Sequence, residues 1–404
     1  MLKVKHHVFG CALAVAGALL AWGNSPVHAD DRHNDQREGN DGDGRIKTVF
    51  VIAMENHNWT QPIPNPDPTQ FPNQIFNNPA APFINSLVNG TSGISDQVAY
   101  ASNYLNAGVG VHPSEPNYIW AEAGSNLGVF NDNDPYVKAT CAPDSVRTTH
   151  DHLSAFLQRA GKSWRSYQED VNVNPTTNVP FPSSLWTAPI FSASGSFGVG
   201  FTNAYYYQRQ FNYAAKHNPM IFFTDTNGGQ CPGAASTLYP PLQQLAIDLQ
   251  NDTVADYNWI TPNQFNDQHS KLGLGYGVYP SNNDQAGVAT GDNFLARVVP
   301  LIMASKAYKD HGLIVLWWDE SEPDTAGDTK DDNQHTLPFF VISKDVHDNV
   351  GGVPFKSTVA LSHSSFLRTM QEIFRVDPQT GFPFLGDAVL AADLSSLFRP
   401  GVIH

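Results

Sequence analysis

Five short apolar runs punctuate the chain: Thr48–Ala53 (TVFVIA), Met220–Thr224 (MIFFT), Tyr257–Thr261 (YNWIT), Leu313–Trp318 (LIVLWW) and Pro338–Ser343 (PFFVIS). Each is continuous rather than alternating, the pattern of a strand covered on both faces. Between them, Asp151–Ala160, Pro241–Leu249, Asp292–Lys306 and His363–Phe374 space their apolar residues by three and four, as helices do. Strands alternating with helices predict an α/β fold with a mostly parallel central sheet and helices on both faces. Asp292 is expected to cap the helix that it opens, because an aspartate there accepts backbone N–H bonds.

Four of the runs lead directly into polar side chains. TVFVIA is followed by Glu55, Asn56 and His57, MIFFT by Asp225, YNWIT by Asn263, Asn266, Asp267 and His269, and LIVLWW by Asp319 and Glu320. In a parallel sheet the carboxyl ends of the strands share one edge, and ligands bind there. Loops are polar in any case, so one such strand decides nothing. Four ending in ligand types favour a shared site. Glu55, Asn56, Asp319 and Glu320 offer oxygen only, which suits a hard divalent cation such as Mg²⁺, Ca²⁺ or Mn²⁺. Taken alone, either adjacent pair reads as solvated surface.

A candidate nucleophile stands in His112-Pro113-Ser114-Glu115-Pro116-Asn117-Tyr118. The two prolines restrict the backbone around Ser114, and the Asn117 amide is a donor for a phosphate oxygen. No GxSxG or SxxK pattern is present, so activation of the hydroxyl falls to a metal. On residue type alone the segment is a rigid surface loop as readily as a nucleophile.

The rest of the chain bounds the setting. Residues 1–29 read as a secretory signal, with Lys3 and Lys5 before an apolar run and Val27-His28-Ala29 as the cleavage site. This predicts a secreted or periplasmic protein with no stable membrane insertion. Residues 30–44 are polar and read as a disordered leader, leaving 45–404 as the folded domain. The formal charge of −15 argues against nucleic acid as a partner. Cys141 and Cys231 lie beyond the signal and are expected to pair.

The ordered set VFVIAMENHNW (49–59), HPSEPNYIWAEAG (112–124), KHNPMIFF (216–223), WITPNQFNDQHS (259–270), GDNFLARVV (291–299), LIVLWWDE (313–320) and SHSSFLRTMQEIF (362–374) resembles the phosphoesterase family. That family includes acid phosphatases and bacterial phospholipases C and has an alkaline-phosphatase-like fold. The resemblance implies Ser114 as nucleophile, and Glu55, Asn56, Asp319 and Glu320 as metal ligands. Asn117, His269 and His363 are implied near the reacting groups, with His57, His112, Asn266 and Asp267 behind them. His335 reads as solvated. The implied activity is an acid phosphatase hydrolysing a small phosphate monoester through a phosphoserine.

Two alternatives remain at this stage. One is a phospholipase C taking a phospholipid head group, with Trp59, Trp120, Trp186 or Trp259 facing lipid. The other is a secreted binding protein on a phosphatase scaffold. ENHNW in place of the phospholipases' ENRSF, and the acidic stretch after Glu320, bear on substrate more than on chemistry.

Overall fold

The two most apolar runs lie side by side. β1 (Thr48–Met54) and β6 (Gly312–Trp318) pair in parallel from Thr48 opposite Gly312 to Met54 opposite Trp318. Glu55 and Asp319 are therefore the next residues out of the sheet, on neighbouring strands. β5 (Tyr257–Thr261) flanks β1 on its other side, also in parallel, with Ile52 opposite Ile260. The side chains of Phe50, Val51, Ile52 and Leu313 to Trp318 are wholly buried. Burying each contributes about 1.5–3 kcal/mol, enough for the core to offset unfavourable polar burial at the strand ends.

The structure is a computed structural model, and it describes residues 46–60, 73–108, 111–171, 213–228, 236–273, 275–322, 335–376 and 383–403. The remaining strands are β2 (Val98–Ala101), β3 (Tyr104–Leu105), β4 (Trp164–Gln168), β7 (Phe339–Ile342), β8 (Phe355–Ser357) and β9 (Leu361–Ser362). With β1, β5 and β6, four of these form one seven-stranded sheet in the order β4-β5-β1-β6-β7-β2-β8, and β3 pairs with β9 apart from it. β7 runs antiparallel to β6 and β2; the other neighbours in the large sheet are parallel. The helices are α1 (Pro82–Asn89), α2 (Ser114–Ala123), α3 (Leu153–Arg159), α4 (Gln243–Asn251), α5 (Asp284–Ala304), α6 (Lys306–Lys309) and α7 (His363–Phe374). The α/β class and mostly parallel sheet agree with the sequence pattern.

Several local expectations change. Met220–Thr224 is not a strand: Pro219–Phe222 is a 3₁₀ turn with proline at its start. A buried apolar run of this length has no period to separate the two, and proline's fixed φ suits the first position of a helical turn. Because β7 is antiparallel, its carboxyl end lies at the opposite edge from those of β1 and β6. α5 begins at Asp284, where the Asn283 side chain caps it by accepting from Gln285 N at 2.8 Å. Asp292 is mid-helix and caps a different helix. Its carboxylate accepts from Phe83 N at 3.0 Å and Ile84 N at 2.8 Å in the first turn of α1, whose own cap residue, Ala81, has no side-chain acceptor. His335 is buried rather than solvated.

The segment read as a possible surface loop is the buried helix α2. Pro116 is accommodated because the first-turn N–H groups of a helix have no intrahelical partner. α2 ends at Gly124 with φ 69°, and a Cβ there would stand 2.3 Å from Leu385 O. Only glycine lets the chain pass that close. Cys141 is disulfide-bonded. Cys231, Trp186, the signal and the leader lie outside the described residues. Among the described residues no helix is long and apolar enough to cross a membrane.

Candidate active site

α2 meets the sheet edge at Glu55. Ser114 Oγ donates to Glu55 Oε2 at 3.0 Å, and Tyr118, one turn later on the same face, donates to Glu55 Oε1 at 2.5 Å. Ser114 Oγ also lies 3.2 Å from Glu320 Oε1. After β1 the chain turns at Asn56, whose φ of 42° is one that asparagine tolerates better than most residues. Asn56 N–H donates to Asp319 Oδ1 at 3.0 Å, and its amide donates to Glu320 Oε1 at 2.8 Å and Glu322 Oε1 at 2.9 Å. Glu320 Oε2 takes the His112 Nδ1 contact and lies 3.4 Å from Asn117 Nδ2. The Asn117 amide is held more closely by Val111 O, at 2.9 Å.

A second group closes on Glu55 from the other side. His217 Nε2 is 3.1 Å from Glu55 Oε1, and His217 Nδ1 is 3.2 Å from Asp267 Oδ2. These contacts are close, yet neither imidazole nitrogen nor Asp267 Oδ2 makes a well-directed hydrogen bond, and the same holds for Asn56 Oδ1 and Asp319 Oδ2. One ligand atom from each of Glu55, His217 and Asp267 lies within 4.8 Å of the others.

The electrostatics are adverse for protein groups alone. Burial, then the charges of Asp319 and Asp267, push the Glu55 carboxyl well above its usual range. Burial, and next to it the Asp319 charge, does the same to Asp267, against the hydrogen bond from His269 N. Burial raises Asp319 to about 6. Burial, followed by the nearby charges of Lys216 and His269, drives the His217 imidazole well below its usual range. Crowded buried carboxylates, a neutral imidazole and orphaned acceptors form a donor set that fits a divalent cation. The fit includes nitrogen as well as oxygen, so it is less restricted to hard cations than the oxygen-only set implied.

A family model described as the Phosphoesterase family matches residues 73–377. The chain belongs to the Phosphoesterase family. It is 24% identical to a phosphatidylinositol-3-phosphatase of Mycobacterium tuberculosis, over 76% of this chain and 74% of that protein. It is 28% identical to an acid phosphatase of Aspergillus fumigatus over 39% of this chain, but spans only 28% of that protein's length. Among solved structures, an alkaline phosphatase superfamily protein from Vibrio parahaemolyticus aligns at a TM-score of 0.42 and 11% identity, covering 89% of this chain and 72% of that one.

In this phosphoesterase, Glu55, Asn56, Ser114, Asn117, Asp319 and Glu320 meet around one point, joined by His112 and Asp267, which were expected to lie behind them. Others serve as supports. His57 pairs with Glu55 O at 2.9 Å and Asp284 Oδ2 at 3.3 Å, tying β1 to the start of α5. Asn266 donates to Glu169 at 2.9 Å, bracing the exits of β4 and β5. His363 is bonded to other groups: Nδ1 is 3.0 Å from both Tyr104 Oη and Trp317 Nε1, and Nε2 is 2.5 Å from Asp319 O. Its ring is engaged on both nitrogens, and burial lowers it to about 3. We therefore assign it to positioning Asp319 rather than to proton transfer. His269 stands beside Lys216, with Nε2 3.5 Å from the ammonium.

The residues missed in the sequence are Tyr118, His217 and Lys216. Tyr118 was visible as the i+4 partner of Ser114 once 114–123 is read as a helix. His217 and Lys216 precede the Met220–Thr224 run, whereas the sequence signal for ligands lies beyond strand ends.

Proposed function

We propose that this phosphoesterase is an exported, metal-dependent acid phosphatase that hydrolyses small phosphate monoesters through a phosphoserine at Ser114. The observation that carries the reading is the Ser114 hydroxyl at the start of α2, directed onto Glu55 and Glu320 at the edge of the buried carboxylate–imidazole cluster. The positive end of α2 favours a phosphoryl group in front of Ser114.

Glu55, His217 and Asp267 would hold the cation, with Asn56 and Asp319 contributing their unpartnered oxygens. When bound, a divalent cation lowers the pKa of a hydroxyl and neutralises phosphoryl oxygens. Ser114 Oγ attacks phosphorus and its proton passes toward the carboxylates that already accept it. The P–O bond to the alcohol breaks, and His269 supplies the leaving oxygen with a proton. Water then attacks phosphorus and gives a proton back to His269, the P–O bond to Ser114 breaks, Ser114 Oγ recovers its proton from the carboxylates, and inorganic phosphate leaves. Catalysis rests on positioning and charge stabilisation.

The tryptophans weaken the phospholipase alternative. Trp59 and Trp259 are buried, and Trp120 donates to Ser364 Oγ at 2.9 Å. Trp59 and Trp259 therefore offer no open apolar face to lipid. The deciding assay compares hydrolysis of a monoester, a diester and phosphatidylcholine by the metal-supplied enzyme and its Ser114→Ala variant. Preference for the monoester, lost in the variant, supports the reading. Preference for phosphatidylcholine contradicts the substrate class.

A further inference from the structure

Lys216 lies beside the carboxylate cluster but does not bond to it. Its ammonium is 2.9 Å from Asp132 Oδ2 and 3.5 Å from His269 Nε2. The Lys216 side chain is 15% exposed and that of Asp132 is 32% exposed, so the pair sits at the rim of the buried cluster. The other oxygen of the same carboxylate, Asp132 Oδ1, accepts from Glu115 N at 3.1 Å. Glu115 follows Ser114, and its N–H belongs to the first turn of α2.

One carboxylate thus bridges an ammonium and a helix N-terminal N–H next to the nucleophile. That pair of donors is the kind that holds a phosphate oxygen. A simpler role for Lys216 is counter-ion to Glu55, Asp267 and Asp319. A counter-ion is best placed in direct contact with the charges it offsets. Lys216 makes its hydrogen-bonded ion pair with Asp132 instead and acts on the cluster only across a distance.

We propose that Lys216 is a ligand of the substrate's phosphoryl oxygens, and that the Asp132 carboxylate holds its ammonium in place and gives way when phosphate enters. This rests on the phosphoesterase reading of the site. Asp132 then acts as an internal competitor: it tethers the ammonium to the first turn of α2 in the free enzyme and sets how tightly phosphate binds.

The test is the Kd of inorganic phosphate, measured by titration calorimetry on the full chain saturated with Mn²⁺, with bound metal counted by elemental analysis. Loss of one charge-assisted bond predicts that Lys216→Gln weakens phosphate by about tenfold or more with its metal retained. Removing the competing charge predicts that Asp132→Asn tightens phosphate by about threefold or more. Phosphate affinity within about twofold of the parent in Lys216→Gln overturns the proposal. So does a loss of metal together with phosphate, which makes the effect of Lys216 one on the integrity of the metal site. If Lys216→Gln does not fold, Asp132→Asn decides alone: tighter phosphate supports the proposal, and unchanged or weaker phosphate overturns it. Ser114→Ala separates this from the reaction itself, because full turnover in that variant would sink the phosphoserine route without moving the phosphate Kd of the parent.

Discussion

Glu55 holds Ser114 and Tyr118 at once, one on each carboxylate oxygen, at 3.0 and 2.5 Å. The carboxylate at the end of the central strand thereby fixes both the position and the rotation of the helix that presents the nucleophile. His217 and Asp267 complete the setting from the far side, and His363 holds the Asp319 backbone from behind.

Metal binding should depend on His217. His217→Ala is expected to lower affinity for the cation by about tenfold or more, read as metal retained after dialysis. Chelation should lower the melting temperature along with activity, because a bound cation offsets the mutual repulsion of Glu55, Asp267 and Asp319. An unaltered metal content in His217→Ala would remove that residue from the site.

A second prediction concerns His152, which lies between Glu122 Oε2 at 3.1 Å and Asp225 Oδ1 at 2.9 Å. Burial alone would lower its pKa, but hydrogen bonds and charge from Asp225 and Glu122 outweigh burial and raise it. The folded state therefore binds the proton more tightly, and this stabilisation is lost as pH rises from about 6.5 through the raised folded value. Asp225 is lowered to about 2: burial opposes the shift, and His152 and His150 outweigh it. Its share is lost as pH falls from about 4 through that value. The pair is worth most between these limits, so His152→Gln should cost more stability at pH 5 than at pH 8 in urea unfolding. Equal losses at both pH values would count against a charged His152.

At Glu115 the substitution is expected to stabilise rather than to cost stability. Burial first, then Asp132 and Asp134, raise its carboxyl to about 9, against the lowering effects of Ser145 and Arg147. Keeping it protonated costs the folded state nothing below about pH 4, and a destabilisation of roughly 3 kcal/mol has accrued by pH 7. Glu115→Gln should therefore unfold at higher urea than the parent at pH 7, with little difference at pH 4. A variant less stable at both would show that the carboxylate is paired.

The parts of the site legible in the sequence are those that follow unbroken apolar runs. Glu55 and Asp319 stand together because TVFVIA and LIVLWW are adjacent parallel strands in register; hydrophobic continuity predicts the two strands and their shared edge, and the pairing itself is seen only in the structure. Ser114 was reachable only through its motif, since the prolines around it suit a loop and a helix start equally. His217 was hidden because Met220–Phe223 has no period that tells a 3₁₀ turn from a strand. The role of His363 was hidden for another reason. Its place at the start of α7 is local, whereas its ring is oriented by Tyr104 and Trp317, which reach it from β3 and β6.

The most direct measurement is to quench the metal-supplied enzyme in acid during turnover of a phosphate monoester and map the phosphorylated peptide by mass spectrometry. The account predicts phosphate on Ser114. It also predicts that Ser114→Ala folds normally, traps none, and loses several orders of magnitude in turnover. Full activity in Ser114→Ala, with no phosphate trapped on the parent protein, would contradict it and leave direct attack by water as the route to the same products.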